Sequence, residues 1–168
     1  MKLTRGRIRP SAGAIVVTMS ALIVAMGAPK ALAGQDHSPE QHEIVTLLER
    51  VSTLMESGDL EALDEIYAPG RGVHIIEGAG VNHGWIEYRD HHLAPELEAF
   101  ENFSYRWHSI EARIVGDLAY AAFQYDLDAT TERGEVAVEG RGTAILERMN
   151  GAWKIVHTHT SGRTRRGG

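Results

Sequence analysis

Apolar residues recur every three or four positions between Ser38 and Tyr67 and every second position in runs beyond Asn102, so the patterning changes from helical to extended along the chain. Ser38, Pro39 and Gln41 have the spacing of an N-cap, a first helical proline and a capping-box partner. The helix they open buries the face carrying Ile44, Leu47, Leu48, Val51, Leu54 and Met55, and Gly58 ends it. Asp59 caps a second, shorter helix with Leu60, Leu63, Ile66 and Tyr67 on its apolar side. Pro69, Gly70 and Gly72 precede a strand from Val73 to Glu77, and a glycine-rich turn follows at Gly78 and Gly80. Helical character returns from Trp85 to about Phe100, with Trp85, Tyr88, His92 and Glu96 on one side and a bend expected at Pro95. Four strands then follow, over about 102–115, 118–130, 135–148 and 153–161, broken by Gly116-Asp117, Arg133-Gly134 and Asn150-Gly151. Helices first and an antiparallel meander afterwards predict an α+β domain whose curved sheet wraps the helices.

Strand alternation places Trp153, Ile155, His157, His159 and Ser161 of the last run on one face. A line that starts with two large apolar groups and turns to imidazoles predicts a core opening into a pocket, with His157 and His159 facing it.

Composition divides the chain again. Residues 1–33 carry five basic groups and no acid around an apolar stretch from Ala12 to Ala28, and they close on Ala31-Leu32-Ala33. That describes a secretory signal peptide, with the membrane as a partner only during export and a periplasmic or extracellular destination. Cleavage there leaves 135 of the 168 residues, with 12 basic against 23 acidic groups and a formal charge of −11. Such a charge argues against nucleic acid as a partner. The chain contains no cysteine, which excludes thiol chemistry. Arg163, Arg165 and Arg166 in residues 163–168 read as a solvated basic tail.

Three stretches carry a family resemblance: Glu56-Ser57-Gly58-Asp59-Leu60, Tyr67-Ala68-Pro69-Gly70, and the close from Asn150 through Trp153, His157 and His159 to Gly162. Together with the element order they resemble the nuclear transport factor 2-like superfamily and its SnoaL-like domains. The last stretch is similar to the end of the calcium/calmodulin-dependent protein kinase association domain. The resemblance covers about residues 40–162 within a domain of 34–162. It implies a cone-shaped, mostly antiparallel curved sheet around about three N-terminal helices, a pocket at the wide end, and a homodimer formed through the outer sheet face. Glu77 falls near the general base of ketosteroid isomerases, whereas their oxyanion tyrosine falls at Val51, which cannot donate a hydrogen bond. For a SnoaL-type cyclase the acid-base candidates are Asp126 and Asp128.

The residues point to an exported small-molecule-binding protein, with proton transfer of isomerase, dehydratase or hydrolase type as its chemistry if it is an enzyme. His157, His159 and Glu77 are the catalytic candidates, and Trp153, Tyr88, His92 and Arg141 the substrate contacts. The rival readings are a transition-metal site built from His157, His159, His92 and Glu96 and an oligomerisation module with structural histidines. His91 adds an adjacent donor to the metal reading, but it points about 100° from His92 on a helix, so at most one of the two faces the pocket easily. His37 and His42 fall on the solvated side of the first helix, and Tyr105, Trp107, Tyr120 and Tyr125 read as sheet core or dimer surface. Glu139 and Arg141 read as an ion-paired sheet face. A nucleotide cofactor is not expected, because neither a phosphate-cradling glycine loop nor a serine elbow occurs.

Overall fold

The computed structural model describes residues 38–165. The signal-peptide segment, His37 and Arg166 lie outside the described residues. The helices are α1 (Pro39–Ser57), α2 (Leu60–Asp64), α3 (Trp85–Tyr88) and α4 (Ala94–Ala99), the last two joined through a π-helical turn over Arg89–Leu93. The strands are β1 (His74–Glu77), β2 (Gly80–His83), β3 (Glu101–Val115), β4 (Leu118–Thr131), β5 (Gly134–Met149) and β6 (Ala152–Thr164). They form one sheet in the order β2-β1-β6-β5-β4-β3, antiparallel except where β1 runs parallel to β6. The expected α+β cone is therefore present, with β2 where the sequence suggested only a turn.

The capping box expected at α1 is formed: Gln41 N donates to Ser38 Oγ at 3.2 Å and Ser38 N to Gln41 Oε1 at 2.9 Å, satisfying two donors that a helix start otherwise leaves orphaned. Gly58 ends α1 at φ 71°, a left-handed cap that costs glycine little. The inward side of α1 carries Ile44, Leu48, Val51 and Met55, all buried. Val51, where a steroid isomerase would hold its tyrosine, is a core side chain. The helix packs along β3, and two of its polar side chains bond that edge strand directly: Gln41 Nε2 donates to Ala112 O at 2.8 Å and Tyr105 N donates to Glu56 Oε2 at 3.3 Å.

Curvature depends on close approach. Gly140 and Gly142 of β5 lie beneath the rings of their β4 neighbours Tyr125 and Phe123, where a Cβ would come within 2.3 Å of a ring carbon. Glycine lets the aromatic rings lie flat against the sheet and fill the cone.

Alternation in the last strand does not run as the sequence suggests. Leu146 pairs with Ile155 but Ile145 pairs with His157, so Val156 is an extra residue in β6, a β-bulge. Because side chains have a period of two, one inserted residue exchanges the faces beyond it. Trp153 and Ile155 point inward and are buried, and after the bulge it is Thr158 and Thr160 that are buried. His157 and His159 lie on the outer face, beside Ile145 and Thr143. The strand also runs to Thr164, Arg163 bonds Glu139 at 2.6 Å, and Arg165 bonds Asp128, so the expected solvated tail starts later than residue 163.

Candidate functional site

The inward residues of β1 are Ile75 and Glu77, alongside Thr158 and Thr160 of β6. Glu77 thus ends a strand with its carboxylate toward the cone. The Tyr88 hydroxyl donates to Glu77 Oε1 at 2.9 Å, and His92 Nε2 stands 3.1 Å from Glu77 Oε2 and 3.3 Å from Glu96 Oε1. Asn82 of β2, opposite Ile75, places its Nδ2 3.3 Å from His92 Nδ1. An amide donor on Nδ1 leaves the ring hydrogen on Nε2, between the two carboxylates. The side chains of Glu77 and His92 are each 31% exposed and that of Glu96 47%, so the group reaches solvent.

Tyr88, His92 and Glu96 come into line because the π-helical turn leads into α4 without breaking the helix. Pro95 has no N–H to offer, and the wider turn before it is closed instead by Ala94 N donating to Arg89 O. The start of this helix is fixed by Asp64 of α2, which accepts from Trp85 Nε1 at 2.6 Å and from Arg89 NH1 at 2.9 and 2.7 Å. Trp85 also stacks on Tyr67, with ring centroids 4.1 Å apart. Neither Asp64 nor Asn82 stood out in the sequence; the only available signal was an acid at the end of a short helix.

Burial, with the charge of Glu77 adding to it, pushes the Tyr88 phenol well above its ordinary range. Tyr67 and Tyr125 rise for the same two reasons, and Tyr105 rises chiefly through burial. These hydroxyls keep their protons. Burial raises the Glu96 carboxyl as well; the Glu77 charge adds to this and His92 opposes it. Glu77 and Glu96 thus share one imidazole N–H, with Glu96 on the more exposed side.

Other expected site residues lie elsewhere. Trp153 is core, 2% exposed, with the Arg148 guanidinium 4.3 Å above its ring. Arg141 is on the outer face, as its neighbours in the β5 alternation require, and Glu139 pairs with Arg163 rather than with it. Asp126 contacts Arg106 and His108 on that same face. The four-residue metal set does not assemble, because the bulge separates His157 and His159 from His92 and Glu96. Among the described residues no group of three or more His, Cys, Asp or Glu is arranged to hold a metal ion. His91 and His42 are exposed, as expected.

The outer face gathers a different group. His74 pairs with His83 on one side, with ring centroids 5.2 Å apart, and with His157 on the other. Partial burial holds His157 below the ordinary imidazole range, and the neighbouring His159 and His74 lower it further. Val81, Tyr120, Ile145 and Leu118 are exposed apolar groups of these strands.

Comparison with known proteins adds the following. The SnoaL-like domain family matches residues 44–164. The fold is similar to that of a nuclear transport factor 2-like superfamily protein from Salmonella enterica, at 19% identity and TM-score 0.68 over 76% of this chain and 93% of that one. It is also similar to a proposed dehydratase of that family from Streptomyces avermitilis (17% identity, TM-score 0.65, 75% of this chain and 97% of that one). A proposed ketosteroid isomerase from Shewanella frigidimarina gives 20% identity and TM-score 0.61 over 69% of this chain and 92% of that one. No curated protein matches the sequence.

Proposed function

This chain belongs to the SnoaL-like family, and we propose that it binds a small organic molecule at the mouth of its cone and moves a proton there with Glu77 as the base. The observation that carries this reading is a carboxylate turned into an aromatic interior and held between a phenol O–H and an imidazole N–H. Two donors fix the orientation of Glu77, leaving it placed to meet an acidic C–H at the opening. The His92 Nε2–H, shared with Glu96, holds the carboxylate in place, and Glu77 returns the proton to another atom of the same molecule. The chemistry is of the isomerase or dehydratase kind, in which a proton leaves one carbon and bonds rearrange without a covalent enzyme intermediate.

The test is deuterium exchange at the acidic C–H positions of a panel of cyclic ketones, followed by NMR. Exchange above the buffer rate, lost in Glu77→Gln, is the expected result. Exchange at the buffer rate, or exchange unaffected by that substitution, overturns the proposal.

Two further properties belong to the same reading. The protein is exported, on the strength of the basic start and apolar stretch of residues 1–33, and N-terminal sequencing of the secreted fraction tests this. It pairs as a homodimer through the outer sheet face, where Tyr120 is 55% and Leu118 52% exposed. Light scattering on Tyr120→Glu, expected to be monomeric, tests that.

A further inference from the structure

The β-bulge in β6 shapes a groove on the outer face of the sheet. Val156 is the extra residue, and it and His157 both line this groove of about 490 Å³, with Ile145 and Met149 of β5 opposite them. The walls are apolar, and the side-chain polar groups the groove offers are the imidazoles of His74 and His157 and the carboxylate of Glu147. Among the described residues none of these three is ion-paired. Partial burial holds His157 below the ordinary imidazole range, so at neutral pH its ring is uncharged and has a nitrogen free to accept a hydrogen bond.

A donor that fits the groove stands on the same face. Register aligns Arg113, Tyr120, Ile145, His157, His74 and His83 in one row across six neighbouring strands. Tyr120, an exposed phenol, lies one strand to one side of Ile145, and the groove lies one strand to the other. A two-fold axis along β5 at Ile145 therefore sets each Tyr120 over the groove of the other copy. Knob and socket are exchanged twice, and Ile145 faces its own copy, as an isologous interface requires.

Resting on the homodimer proposed above, we propose that this groove is the socket for Tyr120 of a second copy of the chain, whose phenol O–H donates to the His157 imidazole, and that acid separates the copies by protonating that acceptor. The groups around His157 set the response. His74 adjoins it in the row with His83 behind, His159 stands one pleat along β6, and pairing carries Arg113 of the other copy toward His74. Protonation thus adds charge beside charge in a surface that has lost its water. Glu147, which lies opposite Lys154 in the register, offsets part of this by attracting a protonated His157.

Sedimentation velocity at pH 7.5 and pH 5.5 reads the association. A dimer is expected at pH 7.5 with a Kd about tenfold weaker at pH 5.5, since each copy brings an imidazole that must be neutral to accept. His157→Gln, which keeps an acceptor oxygen and does not titrate, should pair at both values with a flatter response. Facing sheets lie about 10 Å apart. In Ile145→Cys, whose parent chain has no cysteine, a short bismaleimide should therefore link two copies. Val81→Cys, three strands away on the same face and roughly 30 Å from its counterpart, should stay unlinked. A dimer whose Kd ignores pH, or one that links through Val81→Cys as readily as through Ile145→Cys, overturns the proposal and leaves the homodimer standing. A protein that is monomeric at both values removes the homodimer with it.

Discussion

The hydroxyl of Tyr88 reaches Glu77 Oε1 at 2.9 Å across eleven residues of sequence, and this contact joins the end of β1 to the first turn of α3. Tyr88→Phe keeps the ring and deletes the donor. A hydrogen bond to a charged group contributes about 1.5–3 kcal/mol, so urea unfolding should show a loss of about that size, and Glu77-dependent exchange should fall about tenfold or more. Unchanged stability and unchanged exchange together would mean that the phenol does not hold the carboxylate.

Glu96 makes stability depend on pH. Its folded-state pKa is raised, first by burial and then by Glu77, so the folded protein holds this proton more tightly than the unfolded chain does. The associated stability is present below the ordinary glutamate range and is lost as pH rises through the raised value. Glu96→Gln should therefore raise Tm at pH 7 relative to the parent and leave it nearly unchanged at pH 4. A Tm that falls at pH 7 would show that the pairing with His92 outweighs the burial of the carboxyl.

Removing Val156 should straighten β6 without changing its faces. Ile155 and His157 would become consecutive opposite Leu146 and Ile145, so Thr158 and Thr160 would stay inside and His157 and His159 outside. A folded variant with cooperative melting is the expected result. Val156→Ala, which keeps the bulge and trims a half-buried side chain, should cost about 1 kcal/mol. A deletion that fails to fold while the alanine variant melts cooperatively would contradict the bulged register.

Gly142→Ala places a methyl group 2.3 Å from the Phe123 ring and should destabilise by about 1–3 kcal/mol, as overpacking does. Combining it with Phe123→Leu, which vacates that ring position, should recover part of the loss. Additive losses in the double variant would show that the two residues do not meet.

Local signals carried most of the architecture. The capping box at Ser38, the glycine stop at Gly58 and the turns at Gly116, Gly134 and Gly151 each lie where an element begins or ends. Glu77, Tyr88, His92 and Glu96 were legible individually, the last three by their spacing of four. The contact between them was not, because it depends on β1 closing beside β6. The bulge left no trace in the sequence: Val156 and His157 are both acceptable strand residues, and the extra residue shows only against the partner strand. It misdirected every inference drawn from the histidine pair. Strand β2 was hidden among glycines, and Asn82 on it fixes an imidazole far from any motif.

The grip of α1 on β3 limits how copies of this protein meet. A fifteen-residue edge strand would offer a long row of free amides and carbonyls to any neighbour in extended conformation, but Gln41 and Glu56 occupy bonding positions along it. The opposite edge, β2, is four residues long and starts at a glycine. With one border guarded and the other too short to template pairing, growth of the sheet from molecule to molecule is suppressed. Assembly is left to surfaces rather than to borders, and detachment of α1 is the event that would open β3 to pairing with another copy.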